Sequence, residues 1–193
     1  DYDWSMMRGK PYLYRLMFGI FKPKNHRLGM ELSGVVAAVG ENTSKFRVGD
    51  TVYGDISEYG FGSFAEFISI DENALSHKPS FMSFIDAAAI PHAAALAMQS
   101  LVDIGGIQKN QKILVNGAGG GVGTFALLIA KQYGAELTGV DTGSKLEAML
   151  TLGYDHVIDY KQQDFTQNSI QYDLIIDTKT NRSVFAYLSA LKA

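Results

Sequence analysis

The stretch Lys112–Phe125, "KILVNGAGGGVGTF", decides the fold of the second half of the chain. A short apolar run leads into five glycines within seven residues. A loop that holds a dinucleotide pyrophosphate needs three small positions, for a tight turn, for close backbone approach and for packing of a helix on a strand. The register that fits the spacing G-x-G-x-x-G/A is Ala118, Gly120 and Gly123, with alanine in the first position. Gly119 and Gly121 then serve only to let the loop pass close to the pyrophosphate.

The neighbouring elements strengthen this interpretation over a flexible loop between any strand and helix. A strand precedes the glycines, a helix follows them, and the next strand ends at Asp141, eighteen residues after Gly123. An anion at the start of that helix meets free N–H groups and the positive end of the helix dipole. We therefore predict a dinucleotide-binding loop. Its residues are Ala118, Gly119, Gly120, Gly121, Val122 and Gly123.

The residues after the second strand leave the choice of dinucleotide open. Asp141 stands where an acidic side chain accepts hydrogen bonds from the adenosine ribose, which favours NAD and repels a 2′-phosphate. Thr142, Ser144 and Lys145 follow, and hydroxyls with an ammonium are the groups that a 2′-phosphate needs. The alternative for these three is a helix cap at Ser144 with solvated neighbours.

The first ~80 residues show the pattern of short strands separated by glycine and aspartate turns. The predicted strands are Leu32–Val39, Thr51–Tyr53 and Phe64–Ile70. Such a series is typical of a small β-barrel or sandwich. The pattern changes at Ser83, where a capping box with Asp86 predicts a helix that Pro91 interrupts and that ends near residues 105–106.

From Lys112 onwards strands and helices alternate, which predicts a parallel sheet with right-handed crossovers. The fold class is therefore α/β. The predicted strands are Ile113–Asn116, Glu136–Val140, His156–Ile158 and Leu174–Ile176, and the predicted helices are Val122–Tyr133, Ser144–Leu152 and a final helical stretch.

Bulk composition excludes several classes of function. The chain has 193 residues, a net charge of −3 with scattered basic residues, and no cysteine. We expect no nucleic-acid partner, because such proteins carry a basic patch. Apolar runs fall short of the ~20 residues of a membrane span, and no signal sequence is evident, so we expect no membrane association and a cytoplasmic location. The start without Met and the end inside a helical pattern indicate a fragment.

Several collinear segments together resemble the zinc-independent medium-chain dehydrogenase/reductases of the quinone oxidoreductase type. The segments are "GVVAAVGENTSKFRVGDTVYG", "FAEFISI", "DAAAIP", "ILVNGAGGGVGTFALLIAKQYGAELTGV", "LGYDHVIDY" and "YDLIID". The resemblance implies a partial GroES-like catalytic domain over residues 1–83 and a partial, incomplete Rossmann domain over residues 84–193. It also implies a homodimer in the full-length protein.

The resemblance further implies which cofactor is bound. In NADPH-dependent relatives a lysine after the second strand and a tyrosine fifteen residues later contact the 2′-phosphate, and Lys145 and Tyr160 have that separation. Asp141 departs from the small residue common there. NADP(H) is therefore favoured, and NAD(H) stays possible.

The zinc branch of the family fails a residue-by-residue comparison. The histidine of its G-H-E motif corresponds to Met30, a poor zinc ligand, and cysteine ligands are absent from this chain. We therefore expect no zinc, and the four histidines, which lack ligand spacing, are interpreted as surface or structural residues.

The implied reaction is hydride transfer from NADPH to a quinone or an α,β-unsaturated carbonyl, a small-molecule substrate. Met30 and Tyr53 are candidate substrate-pocket residues by family position, although core packing explains both as well. No catalytic residue is assigned. The alternatives are a non-catalytic NAD(P)-binding relative and an NAD(H)-dependent alcohol or ketone oxidoreductase.

Overall fold

The computed structural model describes residues 2–10, 12–22, 24 and 26–192. Contacts within the chain divide it into two units, residues 1–92 and 93–193. The domain boundary predicted between residues 83 and 84 lies before this division, because the helix that starts at Phe84 packs on strands of the first unit.

The first unit is built on a small antiparallel sheet. Its strands are β1 (Glu31–Val35), β2 (Thr51–Asp55) and β3 (Ser76–His77), in the order β1-β2-β3. Its helices are α1 (Tyr2–Arg8), α2 (Leu13–Phe18) and α3 (Phe84–Ala88), with 3-10 turns at Ser57–Tyr59 and Glu72–Ala74. The N-cap of the predicted capping box is confirmed at the start of α3, where the Ser83 hydroxyl oxygen accepts the N–H of Asp86 at 3.1 Å. The Asp86 carboxylate accepts the Ser83 hydroxyl at 2.6 Å, in place of the Ser83 N–H that a full capping box would use.

One predicted strand is wrong. Residues 64–70 form no strand. Within the described residues, their backbone makes a single hydrogen bond to another backbone group, from Phe64 N–H to Leu28 C=O. A strand persists only when a neighbour satisfies its N–H and C=O groups. Residue type therefore misled here: Phe64 and Phe67 suit a strand, yet they are 66% and 79% exposed. The short strand β3, which residue type did not indicate, pairs with β2 instead.

The second unit is a parallel sheet with helices, as predicted. Its strands are β4 (Lys112–Asn116), β5 (Glu136–Asp141), β6 (His156–Asp159) and β7 (Leu174–Asp177), in the order β6-β5-β4-β7. All three pairings are parallel. The chain runs outward from β4 to β6 and then returns to the other side of β4. The strand order therefore reverses beside β4, and in open α/β sheets ligands bind at such a point.

The core lies on both faces of this sheet. Successive side chains of β4 point to opposite faces, so Ile113 and Val115 join one buried cluster with Leu127 of the following helix, whereas Leu114 joins the other. All three β4 side chains are fully buried. This explains why β4 reads as a continuous apolar run, which is typical of a parallel strand covered on both faces.

The helices lie close to where the sequence predicted them, but their lengths differ from the predicted lengths. They are α4 (Pro91–Met98, which straddles the division between the units), α5 (Gly121–Gln132) and α6 (Leu146–Leu152). A π-helical segment, Gln99–Ile104, continues α4, and a 3-10 turn, Gly143–Lys145, precedes α6. The predicted final helix is only a 3-10 turn, Val184–Tyr187. Pro91 occupies the first helical position, which suits its fixed φ and missing N–H.

Candidate cofactor site

The loop between β4 and α5 makes its tight turn at Gly117. This residue has φ +91°, and a Cβ there would collide with Thr178 Oγ1. The turn therefore lies one residue before Ala118, the position that the sequence spacing favoured. Gly123 fills the predicted role of the third small position, since a Cβ there would collide with the backbone of Ala118.

The start of α5 presents unpartnered donors. The Gly120 N–H donates to Gly117 C=O at 3.2 Å, and the first helical bond runs from Thr124 N–H to Gly120 C=O at 3.0 Å. No side chain caps the helix, so within the described residues the N–H groups of Gly121, Val122 and Gly123 have no acceptor. Such groups at a helix N-terminus bind phosphate oxygens. The residues present therefore fit the pyrophosphate of a dinucleotide.

Asp141, at the end of β5, holds the glycine loop from one side. Its carboxylate is almost fully buried and accepts the N–H of Gly119 at 3.0 Å and of Thr142 at 2.8 Å. Lys145 Nζ lies 3.3 Å from the same carboxylate. Burial opposes ionisation of Asp141, but the hydrogen bonds from Thr142, Lys145 and Gly119 outweigh it and lower the pKa below its usual value. Asp141 is thus an ionised acceptor built into the loop.

Gly119 has a role that its place in the spacing did not indicate. A Cβ at this position would lie 2.5 Å from Lys145 Cδ and 3.0 Å from Asp141 Oδ2. The glycine is therefore required by the side chains of Asp141 and Lys145, which pack directly on the loop backbone.

The structure brings the predicted 2′-phosphate residues to the ends of β5 and β6. The hydroxyls of Thr142 and Ser144 lie 3.1 Å apart. Tyr160 donates its backbone N–H to Asp141 C=O at 3.2 Å, and its side chain is 42% exposed. Among the described residues, no hydrogen bond joins the side chains of Lys145 and Tyr160. The role of these two residues toward a cofactor stays a prediction.

Tyr154 supports the loop from beneath, and sequence reasoning missed it. Its buried hydroxyl donates to Gly123 C=O at 2.8 Å. Burial, with the charge of Asp141 as a smaller cause, raises the pKa of the Tyr154 phenol, so it stays protonated and can donate. The only sequence signal was an aromatic residue just before β6.

Replacing Tyr154 with phenylalanine is expected to lower the free energy of unfolding by about 1 kcal/mol, because the ring still fills its site while one buried hydrogen bond is lost. Urea unfolding of the two proteins measures this. The matched control is Tyr133→Phe at the far end of α5, which should leave stability within about 0.5 kcal/mol of the original protein. Equal stability of Tyr154→Phe and the original protein would contradict this role.

A second polar group lies at the ends of β4 and β7. The buried Asn116 amide donates to Asp177 Oδ1 at 3.0 Å, and the Tyr187 hydroxyl donates to Asp177 Oδ2 at 2.6 Å. Burial and the bond to Asp177 raise the pKa of Tyr187 to about 12. These bonds fix the edge of the sheet where strand order reverses. The sequence hinted at them only through polar residues at strand ends.

The two candidate substrate-pocket residues lie in the first unit. Met30 is buried and its C=O accepts the Ile56 N–H at 2.6 Å, and Tyr53 stands on β2 opposite Ser33 and Ser76. A cavity of about 870 Å³ in this unit is lined by β1 and residues 65–70 among others, and neither candidate lines it. Their role toward a substrate stays a prediction.

Three histidines have structural partners. His92 Nδ1 lies 2.7 Å from Asp55 Oδ2, and the backbone N–H of His92 donates to Glu31 Oε1. These two contacts join the start of α4 to β1 and β2. His156 bonds to Glu136, and the His77 ring packs edge-on against Phe46. In the part of the chain that the structure describes, no group of three or more His, Cys, Asp or Glu side chains could hold a metal ion. The described helices are too short or too polar to cross a membrane.

The fold and loop define a dinucleotide-binding α/β domain preceded by a small antiparallel β domain. Comparison with known families gives the same two parts. Residues 1–80 match the family described as "Alcohol dehydrogenase GroES-like domain", and residues 121–193 match the one described as "Zinc-binding dehydrogenase". The chain belongs to the medium-chain dehydrogenase/reductases, as the sequence resemblance predicted.

Named relatives are consistent with this family. The chain is 35% identical over 158 residues to the mitochondrial NAD(P)H oxidoreductase RTN4IP1 of Danio rerio. The aligned region covers 78% of this chain and 41% of the relative. It is 34% identical over 180 residues to the 2-methylene-furan-3-one reductase of Solanum lycopersicum, and this aligned region covers 87% of the chain and 46% of the relative. The chain thus spans less than half the length of these relatives.

A solved structure shows a similar fold. The Escherichia coli quinone oxidoreductase complexed with NADPH superposes with a TM-score of 0.78 at 25% sequence identity. The match covers 92% of this chain and 57% of that one.

Proposed function

We propose that the protein is an oxidoreductase that transfers hydride from NADPH to a quinone or an α,β-unsaturated carbonyl without zinc. The observation that carries the proposal is the unpartnered set of N–H groups at Gly121, Val122 and Gly123, set behind a loop that Gly117 and Asp141 fix in place. Two of the relatives are named an NAD(P)H oxidoreductase and a 2-methylene-furan-3-one reductase, which supports the reaction class.

The chain would hold the cofactor at two places. The N–H groups of Gly121 to Gly123 would bind the pyrophosphate. The hydroxyls of Thr142 and Ser144, the Lys145 ammonium and Tyr160 would surround a 2′-phosphate at the ends of β5 and β6, because these groups donate hydrogen bonds and Lys145 adds positive charge.

A nicotinamide cofactor, when bound, supplies the hydride that this chemistry needs. The chain's own contribution is to position the cofactor and the substrate and to exclude water. In the candidate substrate pocket, Met30 would offer an apolar surface, and the Tyr53 hydroxyl would donate a hydrogen bond to the oxygen on which negative charge develops. No general acid is assigned. The homodimer and the cytoplasmic location also stay predictions.

The test is a titration of the purified protein with NADPH and with NADH, followed by oxidation assays with a short panel of quinones and enones and by metal analysis. Cofactor-dependent turnover of a quinone or enone without bound zinc is expected. Tight binding with no turnover across the panel would favour a non-catalytic relative. One zinc per chain would contradict the zinc-independent mechanism.

A specific observation supports NAD(H) as the second candidate cofactor. Lys145 is already paired with the buried carboxylate of Asp141 at 3.3 Å. A 2′-phosphate would have to compete with Asp141 for this ammonium and would stand close to a second negative charge. A ribose hydroxyl would meet neither obstacle, so the ion pair favours NADH.

Replacing Lys145 with methionine separates the two cofactors. If the protein uses NADPH, the dissociation constant for NADPH is expected to rise about tenfold, because a charge-assisted contact to the 2′-phosphate is lost. Binding of NADH, measured on the same preparation, should change less than about threefold. Equal losses for the two cofactors would show that Lys145 does not contact the 2′-phosphate.

A further inference from the structure

Lys179 follows β7 and lies across the glycine loop on the side opposite Asp141. If Gly117 carried a Cβ, that atom would lie 2.9 Å from Lys179 Cε and 3.1 Å from Lys179 Cγ. The aliphatic part of the side chain therefore packs on the backbone of Gly117. Its ammonium, one bond beyond Cε, stands beside the loop.

The backbone around Lys179 is fastened to the end of β4. The Thr178 N–H and hydroxyl both donate to Asn116 C=O, at 3.0 and 2.9 Å. The Lys179 N–H donates to Asp177 Oδ1 at 2.9 Å. Because Asn116 directly precedes Gly117, these bonds fix the backbone from which the Lys179 side chain extends beside the loop.

The charge of Lys179 has no ionic partner within the part of the chain that the structure describes. It takes part in none of the ion pairs formed by the described residues, and its side chain is exposed. Lys145, on the other side of the loop, is by contrast paired with Asp141. The loop is thus flanked by two lysines, and an anion at Lys179 would not have to compete with a carboxylate of the described residues, as it would at Lys145.

We infer that Lys179 is a cofactor-binding residue that contacts the pyrophosphate. The inference rests on the proposed function, since it needs a dinucleotide in the loop. A lysine binds phosphate as a flexible point charge, and here it would add to the N–H groups at the start of α5.

The two sides of the loop separate the roles of the two lysines. Gly119 touches Asp141 and Lys145 at the end of β5, and this is the edge at which the adenosine ribose of a dinucleotide lies. Gly117 touches Lys179 at the end of β7, where strand order reverses. A side chain that packs on Gly117 is therefore expected to contact the pyrophosphate, which NADH and NADPH share.

The experiment measures the dissociation constants of NADPH, NADH and ADP-ribose for the purified protein and for Lys179→Met, Lys179→Arg and Lys109→Met. Methionine keeps the aliphatic stem on Gly117 and removes only the charge. Lys109 is an exposed control in the turn before β4, at the opposite edge of the sheet. Thermal unfolding of each variant verifies that it is folded.

Lys179→Met is expected to weaken all three ligands about tenfold, with a shallower dependence on salt. Lys179→Arg should stay within about threefold of the original protein, and Lys109→Met should match it. Unchanged binding by folded Lys179→Met overturns the role of Lys179 and leaves the proposed function standing. A loss confined to NADPH overturns the pyrophosphate assignment. If the original protein binds none of the three ligands, the proposed function fails and this inference with it.

Discussion

Gly123→Ala is expected to lower the free energy of unfolding by about 3 kcal/mol and to abolish dinucleotide binding. An added Cβ would collide with the C=O of Ala118 and would lie 2.5 Å from its Cα. Both atoms belong to the backbone that leaves β4, so no side chain can rotate away to make room. The first turn of α5 must therefore shift away from the sheet, which displaces the N–H groups of Gly121 to Gly123. Urea unfolding and NADPH titration measure the two effects.

Gly120→Ala is the matched control within the same loop. Gly120 has φ −108° and ψ 176°, which alanine adopts without strain, and the nearest atom to an added Cβ is Gly117 O at 3.4 Å. Stability should therefore change by less than about 0.5 kcal/mol. Binding should still fall about tenfold or more, because a methyl group would stand where the backbone approaches the pyrophosphate. Wild-type stability and binding in Gly123→Ala would contradict the packing role assigned to Gly123.

Asp141→Asn is expected to lower the free energy of unfolding at pH 7 by about 2 kcal/mol. Asp141 accepts one backbone N–H with each carboxylate oxygen, from Gly119 on one side and from Thr142 on the other. An asparagine has only one acceptor oxygen, so its NH₂ group must face one of these donors. The same variant releases Lys145 and removes a negative charge, so the preference for NADPH over NADH should rise about tenfold.

The stability effect of Asp141→Asn should depend on pH. The folded-state pKa of Asp141 is lowered below its unfolded value of about 3.9. Its contribution is therefore fully present above about pH 4 to 5 and is lost as the pH falls through the folded-state pKa. The stability difference between the two proteins should shrink as the pH falls from 7 toward 3. A difference of constant size would show that the charge of Asp141 is not responsible.

Asp155→Asn is the control for the effect on cofactor choice. Asp155 likewise accepts a backbone N–H, from Leu137 at 2.7 Å, and pairs with Lys131, but it lies at the start of β5 and β6, away from the loop. This variant should also lose stability, yet its ratio of NADPH to NADH affinity should not change. A shift in the ratio for Asp155→Asn would mean that stability alone moves it.

The sequence predicted the α/β unit well, because its signals are local. Ile113, Leu114 and Val115 form a continuous apolar strand. The glycines that the loop needs follow within a few residues of that strand. Gly153, with φ +115°, ends α6 where the sequence placed the end. The antiparallel unit was predicted less well, since residues 64–70 have strand-forming side chains but no paired neighbour among the described residues.

By itself, the sequence determined the family, the place of the dinucleotide loop and the packing role of Gly123. These features depend on residues close together in the chain and on the size of single side chains. Only the tertiary structure decided that Gly117 makes the turn, that Asp141 is an acceptor for the loop, and that Lys179 lies beside it. The reason is physical: Asp141 ends β5, whereas Thr178 and Lys179 follow β7. Only the parallel pairing of β4 with β5 and β7 brings the carboxyl ends of these strands to one edge.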